Sequence, residues 1–414
     1  MNKFISYQCS VCNRNYQPQK VQYTCPEDGG NLDVLLDYEK IRSTVLVEEI
    51  LNSPDRSIWR YLPLLPVNEP GYEDTPLRSV GWTPLYESRN LVKKLGLKQL
   101  WLKDDGRNPS ASFKDRASAV VVVRAKEIGA KVIVTASSGN AGAALANMAA
   151  AANHHAVIFA PKSAPIAKIA QMQVFGADVL LVDGNYDQAF DLSIEAADEF
   201  GWYCRNTGYN PFTAEGKKTA AFEIWEQVIF SGNLKRPLNI FVPVGDGNII
   251  SGIHKGFKDL IEIGWLDHMP RIFGVQSEGS AAVANAFFSG TESIEPVNAT
   301  TLADSISVNL PRDGLRAVRA VTQTGGRYIT VSDKAIIECI AWLGREGIFV
   351  EPAASAAFAG LRKAVEEELI EPADPVLVML TGSGLKDIKS ATMSIAMAPI
   401  IQPSLEAVKS SLNL

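Results

Sequence analysis

Residues 131–152 read KVIVTASSGNAGAALANMAAAA: a β-branched run from Lys131 to Thr135, a small polar turn at Ser137-Ser138-Gly139-Asn140, and an alanine-rich helical segment from Ala141. The same strand–turn–helix unit recurs outward, as Ala156 to Phe159 before Ile166 to Val174, and Val179 to Val182 before Asp187 to Phe200. Short apolar strands that alternate with helices predict βα units and a parallel sheet buried on both faces. A second series comprises Leu238 to Val242, Ile249 to Ile261, Arg271 to Gln276, Asp333 to Glu346, Ala354 to Glu368 and Val376 to Leu380. The pattern predicts an α/β fold of two doubly wound subdomains, with a ligand in the crevice where strand ends meet helix starts.

The 414-residue chain has globular composition, 46% hydrophobic and 21% charged. Its net charge of -6 argues against nucleic acid or an anionic membrane as partner, since both need a concentrated positive field. No apolar stretch approaches the roughly 20 residues that cross a bilayer, and Met1 to Tyr16 has no signal-peptide core. The expected setting is cytoplasmic, with a small polar substrate. Five cysteines, two of them isolated at Cys204 and Cys339, suit a reducing compartment.

Cys9, Cys12 and Cys25 set residues 1–36 apart as a knuckle that ends in the turn Pro26-Glu27-Asp28-Gly29-Gly30. A zinc ribbon uses two Cys-x-x-Cys hairpins; here Asp28 stands where the fourth thiolate would be. Two readings stay open, a zinc site on these cysteines and a vestigial knuckle that keeps its turns. The expectation is weak or absent zinc, with little effect on catalysis. Residues 37–76 are expected to form a helix and then an arm interrupted by Pro63, Pro66, Pro70 and Pro76. The two subdomains are expected at 77–235 and 236–414.

Chemistry concentrates in four segments at strand-to-helix junctions: Asn108 to Arg116, Ser137 to Gly142, Pro243 to Asn248, and Thr381 to Gly384. Helix N-termini offer unpaired N–H groups to phosphate and carboxylate. In this order they resemble the fold-type II pyridoxal-5′-phosphate (PLP) enzymes, which share the tryptophan synthase β-like fold, and among them the threonine synthase family. Further motifs carry the resemblance: Ser112-Phe113-Lys114-Asp115-Arg116, Gly184-Asn185-Tyr186-Asp187, Glu215 to Glu223, Glu351-Pro352-Ala353 and Gly384-Leu385-Lys386-Asp387.

The resemblance implies a PLP-dependent carbon–oxygen lyase of amino-acid biosynthesis, a homo-oligomer, expected as a dimer, with an amino acid as substrate. Lys114, beside Phe113, would hold the cofactor as a Schiff base and later move protons between substrate carbons. The residues agree, because a lysine in a dry crevice at a helix N-terminus has its ammonium form disfavoured. Asn140 would bond the ring hydroxyl, and Ser137, Ser138 and Asn140 would take the substrate carboxylate together with the following helix N-terminus. Gly245, Asp246, Gly247, Asn248 and Ile249 would cradle the cofactor phosphate with backbone N–H groups, the Asp246 carboxylate turned away. Thr381 would meet the pyridine nitrogen with a neutral hydroxyl, which makes the ring a weaker electron sink than a carboxylate partner would.

The family's own reaction turns O-phosphohomoserine and water into threonine and phosphate. Asn206 and Thr207 match its phosphate-gripping pair, but two other places differ. Ala141 stands for a threonine, and Thr213 for an arginine whose bidentate charge a threonine cannot replace. Arg312, Arg316 and Arg319, near the altered stretch Ala303 to Val308, are the candidates to supply the missing charge. Otherwise the substrate is an unphosphorylated amino acid, and the enzyme an ammonia-lyase of the threonine/serine dehydratase type or a β-replacement synthase. A non-catalytic PLP-binding protein is the remaining alternative.

Overall fold

A computed structural model describes residues 3–232 and 234–414; Met1 and Asn2, at the start of the expected knuckle, and Asn233 lie outside the described residues. The knuckle is a three-stranded antiparallel sheet of β1 (Phe4–Cys9), β2 (Asn15–Tyr16) and β3 (Leu32–Leu36), in the order β2-β1-β3. The helix expected next is instead broken into Tyr38–Thr44 and Val47–Leu51, followed by a 3-10 turn at Ile58–Leu64. Val45 and Leu46 between the two helices adopt extended backbone, which ends the hydrogen-bond ladder.

β4 (Leu85–Glu87) and β5 (Gln99–Asp104) precede four strands, β6 (Val132–Ala136), β7 (His155–Pro161), β8 (Asp178–Val182) and β9 (Tyr203–Cys204), which form a parallel sheet in the order β8-β7-β6-β9. β10 (Asn239–Pro243), β11 (Arg271–Ser277), β12 (Tyr328–Val331) and β13 (Pro375–Leu380) then join β4 and β5 in a six-stranded sheet, β12-β11-β10-β13-β5-β4. All its pairings are parallel except β4 against β5 at the edge. β10 and β13 are buried along their whole length, as central parallel strands covered on both faces must be.

The boundary expected between residues 235 and 236 does not follow the sheets. β5 runs alongside β13 from Gln99 against Pro375 to Asp104 against Leu380, so the larger sheet takes strands from both sides of it. Local signals hold the connecting helices. The helix Tyr186–Phe200 begins with a capping box between Asn185 and Gln188 and stops at Gly201 in the left-handed conformation.

Candidate active site

The four junctions follow the C-terminal ends of β5, β6, β10 and β13, which belong to two different sheets. In open α/β sheets this edge is where ligands bind. Here it holds two adjoining cavities that share Lys114, Thr207, Asp246 and Ser305. The inner one is walled by Lys217, the 243–249 loop, Glu351 and Thr381, the outer by Ser137–Ala141, Tyr186 and Val308.

Lys114 begins the helix Lys114–Glu127 and faces both cavities. The next two residues fix it. Asp115 does not pair with Lys114; its carboxylate accepts from the Ser110 N–H at 2.7 Å and the Ser110 hydroxyl at 2.5 Å. Arg116, fully buried, reaches Asp105 at 2.6 Å and Glu223 at 2.9 Å, and Lys103 meets Glu223 at 2.7 Å. This network ties the end of β5 to the helices at Lys114 and Thr219. Burial lowers the Lys114 pKa, Glu351 raises it and Arg205 lowers it further, with a net shift below its ordinary value. The amine is therefore more readily neutral, as nucleophilic use requires.

Asn140, at the first turn of the helix Asn140–Ala151, donates through Nδ2 to Glu351 at 2.9 Å and to the Ser305 hydroxyl at 3.2 Å. Its Oδ1 is buried with no partner. Ser137, Ser138 and Gly139 form the loop before that helix, where Ser137 Oγ accepts from the Gly139 N–H at 3.1 Å.

In the 243–249 loop both glycines are obligatory. A Cβ on Gly245 would lie 2.9 Å from Ile306 Cα, and Gly247 has φ +91° with Asp313 O only 2.6 Å from where its Cβ would be. Asp246 Oδ1 accepts from the Arg312 N–H at 3.3 Å, although the residue still contributes to both cavity walls. Asn248 donates to Asp313 at 2.6 Å, and Ile249 and Thr381 line the inner cavity. Phe113 is fully buried beside it and its N–H donates to Thr381 O at 2.9 Å.

Two expectations need correction. Asn206 lines neither cavity: its Oδ1 accepts from Thr135 at 3.0 Å and Ala136 N at 2.7 Å, and its Nδ2 donates to Ser193 at 2.8 Å. It braces the ends of β6 and β9 while Thr207 faces the cavities. The three arginines are engaged elsewhere, Arg312 with Asp187 at 2.9 Å, Arg316 between Asp313 and Asp33 at 2.6 Å each, and Arg319 with Glu292 at 2.6 Å. None of them lines either cavity.

The basic residue the sequence reading missed is Lys217, wholly buried in the inner wall. It stands four residues after Thr213 on the helix Phe212–Lys217, hence on the same face one turn along. Both side chains converge on Asn248 Oδ1, Thr213 Oγ1 at 3.1 Å and Lys217 Nζ in a closer contact. Among the described residues no carboxylate pairs with Lys217. Burial, then the charges of Lys114 and Arg205, push its pKa well below the usual value. Arg205 lies behind Thr207, donating to its hydroxyl at 2.7 Å, with Nη2 buried and unpartnered. Glu351, quoted only as part of a motif, and Ser305 complete the wall.

The family described as "Pyridoxal-phosphate dependent enzyme" matches residues 77–382. The chain is 39% identical over 388 residues to the threonine synthase of Methanocaldococcus jannaschii, covering 92% of this chain and 93% of that protein. It is 36% identical to the threonine synthase of Methanosarcina acetivorans, covering 98% of each. Among solved structures, the processed form of threonine deaminase isoform 2 from Solanum lycopersicum superposes with a TM-score of 0.64 at 23% identity, over 78% of this chain and 89% of that one. At that identity the likeness is one of fold.

Proposed function

Because the chain belongs to the threonine synthase family of pyridoxal-phosphate-dependent enzymes, we propose that it converts O-phosphohomoserine and water into threonine and phosphate. The observation that carries this reading is Lys217, a buried amine in the pocket wall one helical turn from the position where the family's arginine is replaced by Thr213, which an anionic phosphate beside it would hold protonated. The positive charge a phosphorylated substrate needs has moved along the helix.

The residues fit PLP. Among the described residues Asn140 Oδ1 is an orphaned acceptor, and Gly245 and Gly247 bare a stretch of backbone where a Cβ would collide. Lys114 would bond the cofactor's aldehyde carbon, Asn140 its ring hydroxyl, the N–H groups of residues 245–249 its phosphate, and Thr381 its ring nitrogen. When bound, the cofactor withdraws electrons from the substrate's α-carbon.

The overall change breaks the bond between the γ-carbon and the phosphate oxygen and one C–H bond of the β-carbon, places the hydroxyl of water on the β-carbon, and delivers one proton to the γ-carbon and one to the departing phosphate. Lys114 Nζ, facing both cavities, is the group that takes and returns protons. The N-terminus of the helix at Asn140, with Ser137 and Ser138, holds the substrate carboxylate. Lys217 and Thr207 hold the phosphate that leaves, and a charge-assisted contact there stabilises it more strongly as it departs.

Comparing kcat/KM for O-phosphohomoserine, threonine, serine and O-acetylserine tests the reading. O-phosphohomoserine should be the best substrate by a wide margin. Ammonia release from threonine or serine at a higher kcat/KM would replace the reading with a dehydratase, and turnover of none would leave a binding protein.

A further inference from the structure

We propose that Cys9, Cys12, Cys25 and Asp28 bind one zinc-class divalent ion, which fastens the knuckle to the walls of the pocket. One ligand atom from each residue falls in a group whose members all lie within 4.8 Å of one another. Cys12 Sγ and Cys25 Sγ are 3.8 Å apart, and Cys9 Sγ is 3.3 Å from Asp28 Oδ1. A tetrahedral ion with metal–sulfur bonds of about 2.3 Å and a metal–oxygen bond of about 2.1 Å has edges of roughly 3.8 Å and 3.6 Å. The two observed pairs are opposite edges of such a tetrahedron.

The surrounding donors are arranged as metal-bound ligands require. Cys9 Sγ accepts from the Val11 N–H at 3.3 Å and the Cys12 N–H at 3.5 Å, Cys25 Sγ is 3.1 Å from the Tyr16 hydroxyl, and Asp28 Oδ1 accepts from the Gly30 N–H at 2.8 Å. Such outer contacts orient thiolates and carboxylate toward one point. A Cβ at Gly30 would come within 2.8 Å of Asp28 Oδ1 and 2.9 Å of Cys9 Sγ, so only glycine permits this approach. Soft thiolates joined by one hard carboxylate suit zinc better than magnesium or calcium.

Cys9 pairs across the sheet with Leu32, and the next residue, Asp33, begins a chain of contacts into the pocket. Asp33 pairs with Arg316 at 2.6 Å, Arg316 with Asp313 at 2.6 Å, and Asp313 with Asn248 at 2.6 Å, next to Lys217. On the other side the Tyr23 hydroxyl accepts from the Cys204 N–H at 2.8 Å and its ring stacks on Tyr209 at 4.7 Å, bracketing Thr207. An ordered knuckle therefore holds both walls.

The test uses the full-length protein grown in zinc-replete medium. Wild type and Asp28→Cys should contain one zinc per chain by elemental analysis, Cys25→Ser should have lost it, and cobalt-exchanged wild type should give the strong visible and thiolate charge-transfer bands of a tetrahedral site. Chelator-stripped wild type should have a lower Tm and faster amide exchange in residues 204–212 than the same protein with zinc restored. Metal-free wild type that also gives no cobalt spectrum would overturn the site. Stoichiometric zinc whose removal changes neither Tm nor exchange would overturn the fastening role. Neither readout depends on the substrate, so failure here is separable from failure of the proposed reaction.

Discussion

Replacing Lys217 with methionine should make the ligand-free protein no less stable while crippling its use of a phosphorylated substrate. The side chain is wholly buried, among the described residues its nitrogen bonds only a neutral amide, and Lys114 and Arg205 disfavour its charge. Methionine fills a similar unbranched volume without a polar amine that must be desolvated, so an unchanged or raised Tm is expected. Against a bound phosphate the account is reversed. Losing a desolvated, hydrogen-bonded charge pair costs about 3 kcal/mol, roughly a hundredfold in kcat/KM. The assay is phosphate release from O-phosphohomoserine, with PLP loading followed separately by absorbance. Restoring charge in Lys217→Met with Thr213→Arg should recover part of the activity. An unchanged kcat/KM would refute the reasoning, and loss of PLP with normal KM in the residual holoenzyme would reassign Lys217 to the cofactor's phosphate.

Lys114→Ala should abolish both turnover and borohydride-trapped cofactor; a reducible adduct at another single lysine would reassign the attachment. Gly247→Ala, with its Cβ forced against Asp313 O at positive φ, should cost about 1–3 kcal/mol and weaken PLP binding, measured by thermal melts with and without cofactor. Glu223→Gln should destabilise by about 3–5 kcal/mol, because Arg116 and Lys103 lose the carboxylate that they hold down to about 2 against burial. Burial, with Lys258 adding to it, lowers the His254 pKa from 6.5 to about 4, so the folded state binds fewer protons than the unfolded one across that window. Stability should fall by about 3 kcal/mol as pH drops through it, and His254→Gln should flatten that part of the denaturation profile.

The pattern along the chain was legible where elements are long and local. The helix Ile166–Val174 coincides with its expected bounds, and β10, β11 and β13 begin within a residue or so of theirs, because a buried parallel strand is a continuous apolar run. The two-residue β9, the edge strand β4 and the four-residue β12 have too few residues to express any period. Nor does a strand's sequence name its partner: nothing in Gln99–Asp104 says that it pairs with Pro375–Leu380.

The site divides in the same way. Lys114, Gly245, Gly247 and Thr381 sit in motifs whose composition announces a ligand loop. Asn206 sits in one too, yet its position beneath the β-strand ends leaves it no free polar group. Lys217 was hidden because its relevance depends on which helix face meets the cavity, although its spacing from Thr213 was a usable signal. Asp28 looked like a lost ligand until folding brought its carboxylate beside Cys9.

The most direct test of the carbon–oxygen lyase reaction is to run the PLP-loaded enzyme on O-phosphohomoserine in water enriched in heavy oxygen and weigh both products. The account predicts threonine carrying the heavy atom in its hydroxyl and phosphate carrying none, since the bond broken is between carbon and oxygen. Heavy oxygen in the phosphate, or phosphate released without threonine, would contradict it.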